Sequence, residues 1–145
     1  MIRLRYNSPD FIDCDYDLIV SVEVIEHLEN PRAMARFLFD RLLPGGRCIV
    51  TTPNQESVRS LAALTFEGHF AAFRGASYPG HITALTRLDL LRVFQEAGFR
   101  EIEIRYTNHG ALPKLVGVNW QQISFGLLKG RRFSDNMAII ARRPA

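Results

Sequence analysis

Cysteine is scarce in this 145-residue chain, and the two that occur, Cys14 and Cys48, make neither a disulfide framework nor a thiolate metal site. A reducing, cytoplasmic setting is the expectation that follows. No apolar run approaches the ~18 residues a membrane helix needs, and the N-terminus lacks a secretory apolar core. Neither membrane spanning nor secretion by signal peptide is expected from this sequence, and a membrane is not an expected partner. Internal repeats are lacking too. Neither sign of charge dominates: 18 Lys+Arg stand against 15 Asp+Glu, a net charge of +3. The basic residues are scattered, with small pairs at Arg131-Arg132 and Arg142-Arg143. Without a stripe of Lys/Arg interleaved with aromatics, a nucleic-acid partner is disfavoured. Apolar residues are not scarce. At 47% they exclude intrinsic disorder, and a length that fits one domain supports a real core.

The pattern along the chain alternates between strand and helix. Met1–Tyr6 (M-I-R-L-R-Y) alternates as a short strand, and Asn7 to Asp10 breaks it. Asp17–Val24 is an apolar, β-branched run without clean alternation, which predicts burial on both faces. Asn30 is a natural N-cap and Pro31 suits the first helical position, so a helix runs over Ala33–Leu43 until Pro44-Gly45-Gly46 ends it. Arg47–Thr52 is a second buried strand. Glu56–Phe66 reads as helical, and Glu67–Ala84, with Gly68, Gly75, Pro79 and Gly80, reads as a long loop. Loops of that length are usually functional or disordered. Thr86 to Asp89 resembles a capping box ahead of a helix over Leu90–Ala97, with Gly98 closing it. Strands over Arg100–Thr107 and Asn136–Arg142 flank an irregular stretch that includes Lys114–Leu128. This order predicts an α/β layered fold, with a largely parallel sheet and an antiparallel pair at one edge.

The block from Tyr16 to Asn54, Y-D-L-I-V-S-V-E-V-I-E-H-L-E-N-P followed by a helix and L-L-P-G-G-R-C-I-V-T-T-P-N, resembles the central portion of class I S-adenosylmethionine-dependent methyltransferases. Gly80-His81-Ile82-Thr83 through L-T-R-L-D-L-L-R-V-F-Q-E-A-G-F resembles the segment before the sixth strand of that family. Together the likeness covers roughly residues 10–107. It implies a partial Rossmann-like fold in a single, truncated domain over 1–145, because the family's G-x-G-x-G turn after a first strand is not in this sequence. Small residues there let backbone approach the cofactor, and an acidic residue holds its ribose. The resemblance further implies S-adenosylmethionine as cofactor of the parent fold and methyl transfer to a hydroxyl of a small molecule or sugar. The alternative is a non-catalytic structural or interaction module derived from a methyltransferase.

Ligands in open α/β sheets bind beyond the carboxyl ends of the strands, which singles out Glu23 to His27. The resemblance places Ser21, Val22 and Glu23 beside the cofactor's methionine portion, with His27 and Glu26 in the catalytic role. Histidine suits removal of a hydroxyl proton because it titrates near neutrality. A second reading is a divalent metal site. E-x-x-E-H resembles the ligand cluster of small-RNA 2′-O-methyltransferases and of some ubiquinone-pathway O-methyltransferases, with Glu23, Glu26 and His27 joined by His81 or His69. Carboxylate with imidazole suits Mg, Mn or Zn. A third reading is structural: Glu26 and Glu29 favour the N-terminal turn of the next helix, and His27 bonds a backbone carbonyl. Phe66, Phe70, Phe73, Tyr78 and Trp120 either line an acceptor pocket or form a satellite core under the loop, the latter being commoner. Without the family's first strand, Asp17–Val24 presents an open edge. That predicts cover by Met1–Tyr6, self-association, or a complementing chain.

Overall fold

A computed structural model describes residues 15–113, 115 and 117–145. The expected strand over Met1–Tyr6 lies outside the described residues. Four strands, β1 (Tyr16–Val22), β2 (Leu42–Pro53), β3 (Arg100–Tyr106) and β4 (Asn136–Arg142), form one sheet in the order β1-β2-β4-β3. β1 and β2 are parallel, while β4 runs antiparallel to both β2 and β3. Three strands therefore point one way and only β4 is reversed. The expected antiparallel pair at the edge is β4 with β3. The reversed strand also separates β3 from β2, so two of the three ladders are antiparallel.

The helices are α1 (Pro31–Arg41), α2 (Val58–Glu67), α3 (Arg87–Glu96) and the short α4 (Trp120–Ile123). Their starts follow local chemistry. The Asn30 carboxamide accepts from the Ala33 amide ahead of Pro31, and Ser57 caps α2. Thr86 and Asp89 bond reciprocally at the start of α3, the expected box. α1 stops at Arg41, earlier than Pro44-Gly45-Gly46 suggested, because those residues belong to β2. There they accommodate a bulge: Tyr16 pairs with Leu42, but Leu18 already pairs with Arg47. Gly45 adopts φ +79°, and a Cβ on Gly46 would press on the carbonyls of Leu43, Asp17 and Tyr16. The Arg143 guanidinium donates to the carbonyls of Phe39, Asp40 and Leu42, satisfying the end of α1.

One face of the sheet is covered by α1 and α3. Met34, Ala35 and Leu38 of α1 and Leu90 and Phe94 of α3 meet Leu42, Cys48, Val50, Phe99, Met137, Ile139 and Ala141 in one buried cluster. Burial pushes the Cys48 thiol up to about 12, so it is inert as a nucleophile. The opposite face is open at β1, where Leu18, Val20 and Val22 are 51%, 44% and 61% exposed. The expectation of burial on both faces of this strand is thus corrected. Ile19 and Ser21 face the core side, and no described helix lies over the other.

Candidate functional site

The carboxyl end of β1 turns sharply into a single helical turn over Ile25–His27. Glu23 occupies the left-handed region at φ +51°, held by its amide donating to the carbonyl and hydroxyl of Thr51. A non-glycine residue there is sparsely populated and costs energy, so the neighbouring β2 strand fixes the turn. Ile25 is fully buried beneath it and anchors it to the core.

Glu26 follows, 0% exposed. Its Oε2 accepts from the Thr52 hydroxyl at 3.1 Å, and its backbone carbonyl accepts from the amides of Ile82 and Thr83. Its Oε1 has no hydrogen-bond partner. A buried carboxylate oxygen left unpaired costs about 1–3 kcal/mol or more, which marks a place where a proton, cation or ligand completes the set. His27 Nε2 stands 3.8 Å from that oxygen. The other ring nitrogen, Nδ1, lies 2.8 Å from the Gly80 carbonyl. A carbonyl can only accept, so Nδ1 carries the proton and the neutral ring keeps its lone pair at Nε2. His81 is oriented the same way, with Nδ1 2.6 Å from the Ala72 carbonyl. The two imidazoles meet edge to face at 4.7 Å, and Phe73 packs on His81 at 5.5 Å.

The long loop is therefore the far wall of the site rather than a free segment. It lies against the β1 turn through Gly80, Ile82 and Thr83. The structure brings together Glu26, His27 and His81, one donor atom from each lying within 4.8 Å of the others. Glu23 is not in that set, and neither is His69, which bonds the neighbouring Phe70 carbonyl and pairs with Glu67 at 3.5 Å. The trio presents one carboxylate oxygen and two imidazole nitrogens, a donor set suited to a divalent cation.

Nearer the strand, Ser21 Oγ and Glu23 Oε1 are shielded from solvent without hydrogen-bond partners. Burial pushes the Glu23 carboxyl above its usual range, partly offset by its bond to Thr51. Two unpaired polar groups at the carboxyl end of a parallel strand fit a ligand bearing an ammonium or hydroxyl group. The aromatic residues divide. Phe70 and Phe73 pack edge to face at 6.5 Å, and Trp120 packs on Phe133. Phe66 and Tyr78 are 86% and 74% exposed, against the expectation of a satellite core. Phe66 lines a cavity of about 670 Å³ with Arg59, Ala62, Arg74, Leu112 and Leu115.

Asn54 was legible only as the residue closing a strand, yet it holds the neighbouring chain in place. Its Nδ2 donates to the carbonyls of Arg131 and Ser134, and its amide donates to Asp135. Asn after Pro at a strand end was the available signal.

A family described as a methyltransferase domain matches residues 7–104. The chain belongs to this methyltransferase-domain family. It is 24% identical over 99 residues to a ubiquinone biosynthesis O-methyltransferase of Psychrobacter arcticus, covering 68% of this chain and 38% of that protein. It is 33% identical over 66 residues to the mitochondrial ubiquinone biosynthesis O-methyltransferase of Dictyostelium discoideum, covering 46% of this chain and 18% of that one. The chain thus spans less than two fifths of the length of these relatives. Its fold is similar to the crystal structure of a SAM-dependent methyltransferase from Thermotoga maritima, with a TM-score of 0.64 and 19% identity, over 94% of this chain and 59% of that one. Membership agrees with the Rossmann-like α/β architecture of the sheet. Among the described residues, no helix is long and apolar enough to cross a membrane.

Proposed function

We propose that this chain forms the acceptor-side part of an S-adenosylmethionine-dependent O-methyltransferase, with His27 as the base that takes the proton of an acceptor hydroxyl. The observation that carries this reading is the arrangement of His27. Its Nδ1 proton is committed to the Gly80 carbonyl, its Nε2 lone pair is free, and the buried Glu26 carboxylate stands 3.8 Å from that nitrogen. Proton transfer at Nε2 leaves an imidazolium, and the adjacent carboxylate favours that charge. S-adenosylmethionine supplies the electrophilic methyl group when bound. Ser21 and Glu23 suit its polar methionine portion, with Val22 beside them, and Glu26 and His27 line the acceptor side. The acceptor is a hydroxyl of a small molecule or sugar, a reading supported by the hydroxyl-directed names of the two curated relatives.

Calorimetry with S-adenosylhomocysteine tests it directly. Heat of binding that Glu23→Ala abolishes supports the assignment. No heat at millimolar ligand sinks it for this chain and favours the non-catalytic module.

A divalent cation held by Glu26, His27 and His81 is the second reading. The unpaired Oε1 of Glu26 and the two free Nε2 lone pairs favour it. Each imidazole bonds a carbonyl through its other nitrogen, as metal-ligating histidines do. Metal content unchanged in a Glu26→Ala/His81→Ala variant removes that reading.

The open face and outer edge of β1 support a further proposal, that a second copy of the chain covers them. Leu18, Val20 and Val22 supply the apolar surface for such a contact.

A further inference from the structure

Between β3 and β4 the chain makes an excursion over residues 107–135, and its tip breaks the usual rule for surface loops. Within five residues, Ile123, Phe125 and Leu127 are 52%, 96% and 84% exposed. Loop tips normally carry small polar residues.

The tip is also a built structure. Asn119 and Gln122 form a reciprocal capping box at α4. The Gln121 carboxamide is a central peg: it accepts from the Gly110 amide and donates to the carbonyls of Leu128 and Phe133. The Leu128 amide donates to the Ser124 hydroxyl, and the Gly126 amide to the Gln121 carbonyl. Phe125 itself sits at φ +50°, a strained region for a bulky side chain. Hydrogen bonds on both sides thus hold a strained phenylalanine in water, an arrangement associated with function rather than folding.

Charge identifies the occupant. Between Glu103 and Asp135 the sequence contains no acidic residue and five basic ones, Arg105, Lys114, Lys129, Arg131 and Arg132, of which Arg105 pairs with Glu103 at 2.7 Å. Three of these follow the apolar tip directly. Arg131 pairs with Glu56 at 3.7 Å, and Arg132 donates to the Glu56 carbonyl. Apolar side chains projecting ahead of a cationic collar match a bilayer surface, with acyl chains taking the tip and anionic headgroups the collar. Two of the three tip residues are aliphatic, which argues against stacking on nucleic-acid bases.

We propose that the 123–127 tip is a membrane-surface anchor that inserts into the headgroup region of an anionic bilayer. The absence of a long apolar run does not bear on this shallower mode of contact. The proposal is independent of the methyltransfer reading.

Trp120, the only tryptophan, begins α4 in the same excursion and reports on insertion. The chain is mixed with phosphatidylcholine vesicles, with or without phosphatidylglycerol, carrying brominated acyl chains. Quenching of Trp120 and co-sedimentation are expected with the anionic vesicles, weakening with added salt. The variant Ile123→Ser/Phe125→Ser/Leu127→Ser should bind at least about tenfold more weakly, with unchanged circular dichroism because the three side chains are solvent-exposed. Lys129→Glu/Arg132→Glu should lose the preference for anionic lipid. The proposal is overturned by absence of binding in the parent chain, by equal binding of the triple variant, or by a tip that supports only RNA binding or dimerisation.

Discussion

The Nε2 of His27 stands 3.8 Å from Oε1 of Glu26, and that oxygen has no hydrogen-bond partner. Base and charge arise within one turn, because Glu26 and His27 are adjacent, and the Gly80 carbonyl of the facing loop pins the ring. Replacing His27 with Asn should lower the turnover of methyl transfer to a hydroxyl acceptor by about 10²–10⁴-fold. Glu26→Gln keeps an oxygen for the Thr52 hydroxyl while removing the charge, so its loss should be smaller. Steady-state assays with labelled S-adenosylmethionine check both. A His27→Asn variant with unaltered turnover refutes the base assignment.

Glu23 gives a pH signature in stability. Burial raises its carboxyl above the ordinary value of 4.5, with Glu26 adding to the rise and Thr51, His81 and His27 opposing it. The folded chain therefore binds this proton more tightly than the unfolded chain. Its contribution is full at low pH and is lost as pH rises from the unfolded value through the raised folded one. Glu23→Gln, which cannot ionise, should gain thermal stability relative to the parent as pH rises from the ordinary carboxyl value of 4.5 through the raised folded one. Melting curves across that window should show the two midpoints diverging; parallel midpoints would contradict the burial argument.

Asn54 ties the end of β2 to the segment that leads into β4. Its side chain makes two donated bonds and also accepts from the Glu56 amide, all in a nearly solvent-free position. Asn54→Ala strands those backbone groups, so the loss should be about 2–3 kcal/mol in urea titrations. Asn54→Asp should also destabilise, because a carboxylate cannot donate to the two carbonyls.

The exposed face of β1 makes association testable. Light scattering at micromolar concentration should report a species larger than a monomer, and Val20→Lys should shift it toward the monomer. A monomeric parent chain would remove the proposal of a covering copy.

Much of the fold was legible because the signals were local. Asn30-Pro31, the Thr86 and Asp89 box and the alternation of Ile102, Ile104 and Tyr106 within Arg100–Thr107 each fix an element through neighbours in sequence. The Gly45-Gly46 pair was misleading, since a helix stop and a strand bulge ask for the same residues, and only the pairing of Leu18 with Arg47 distinguishes them. At the site, Glu26 and His27 could be singled out as candidates from their place beyond the carboxyl end of a strand. The choice of His81 over His69 could not, because both lie in the same loop and only tertiary bonds, through Ala72 for one and Phe70 for the other, set their directions. Burial of β1 on both faces was a reasonable inference from its composition. Composition reports what a strand was built to contact, whereas exposure reports what this chain itself provides.

The reversed position of β4 has a consequence for the order in which the molecule can assemble. The strand joining β2 to β3 is the last of the described strands in sequence order, lying beyond the matched family segment that ends at residue 104. In chain order β3 precedes its ladder partner, so among the described strands it has no native neighbour until residues 136–142 follow. Closure of the sheet is therefore a late event of high contact order. A nascent chain stalled anywhere in the excursion would hold half a sheet, with its apolar interior still exposed to water.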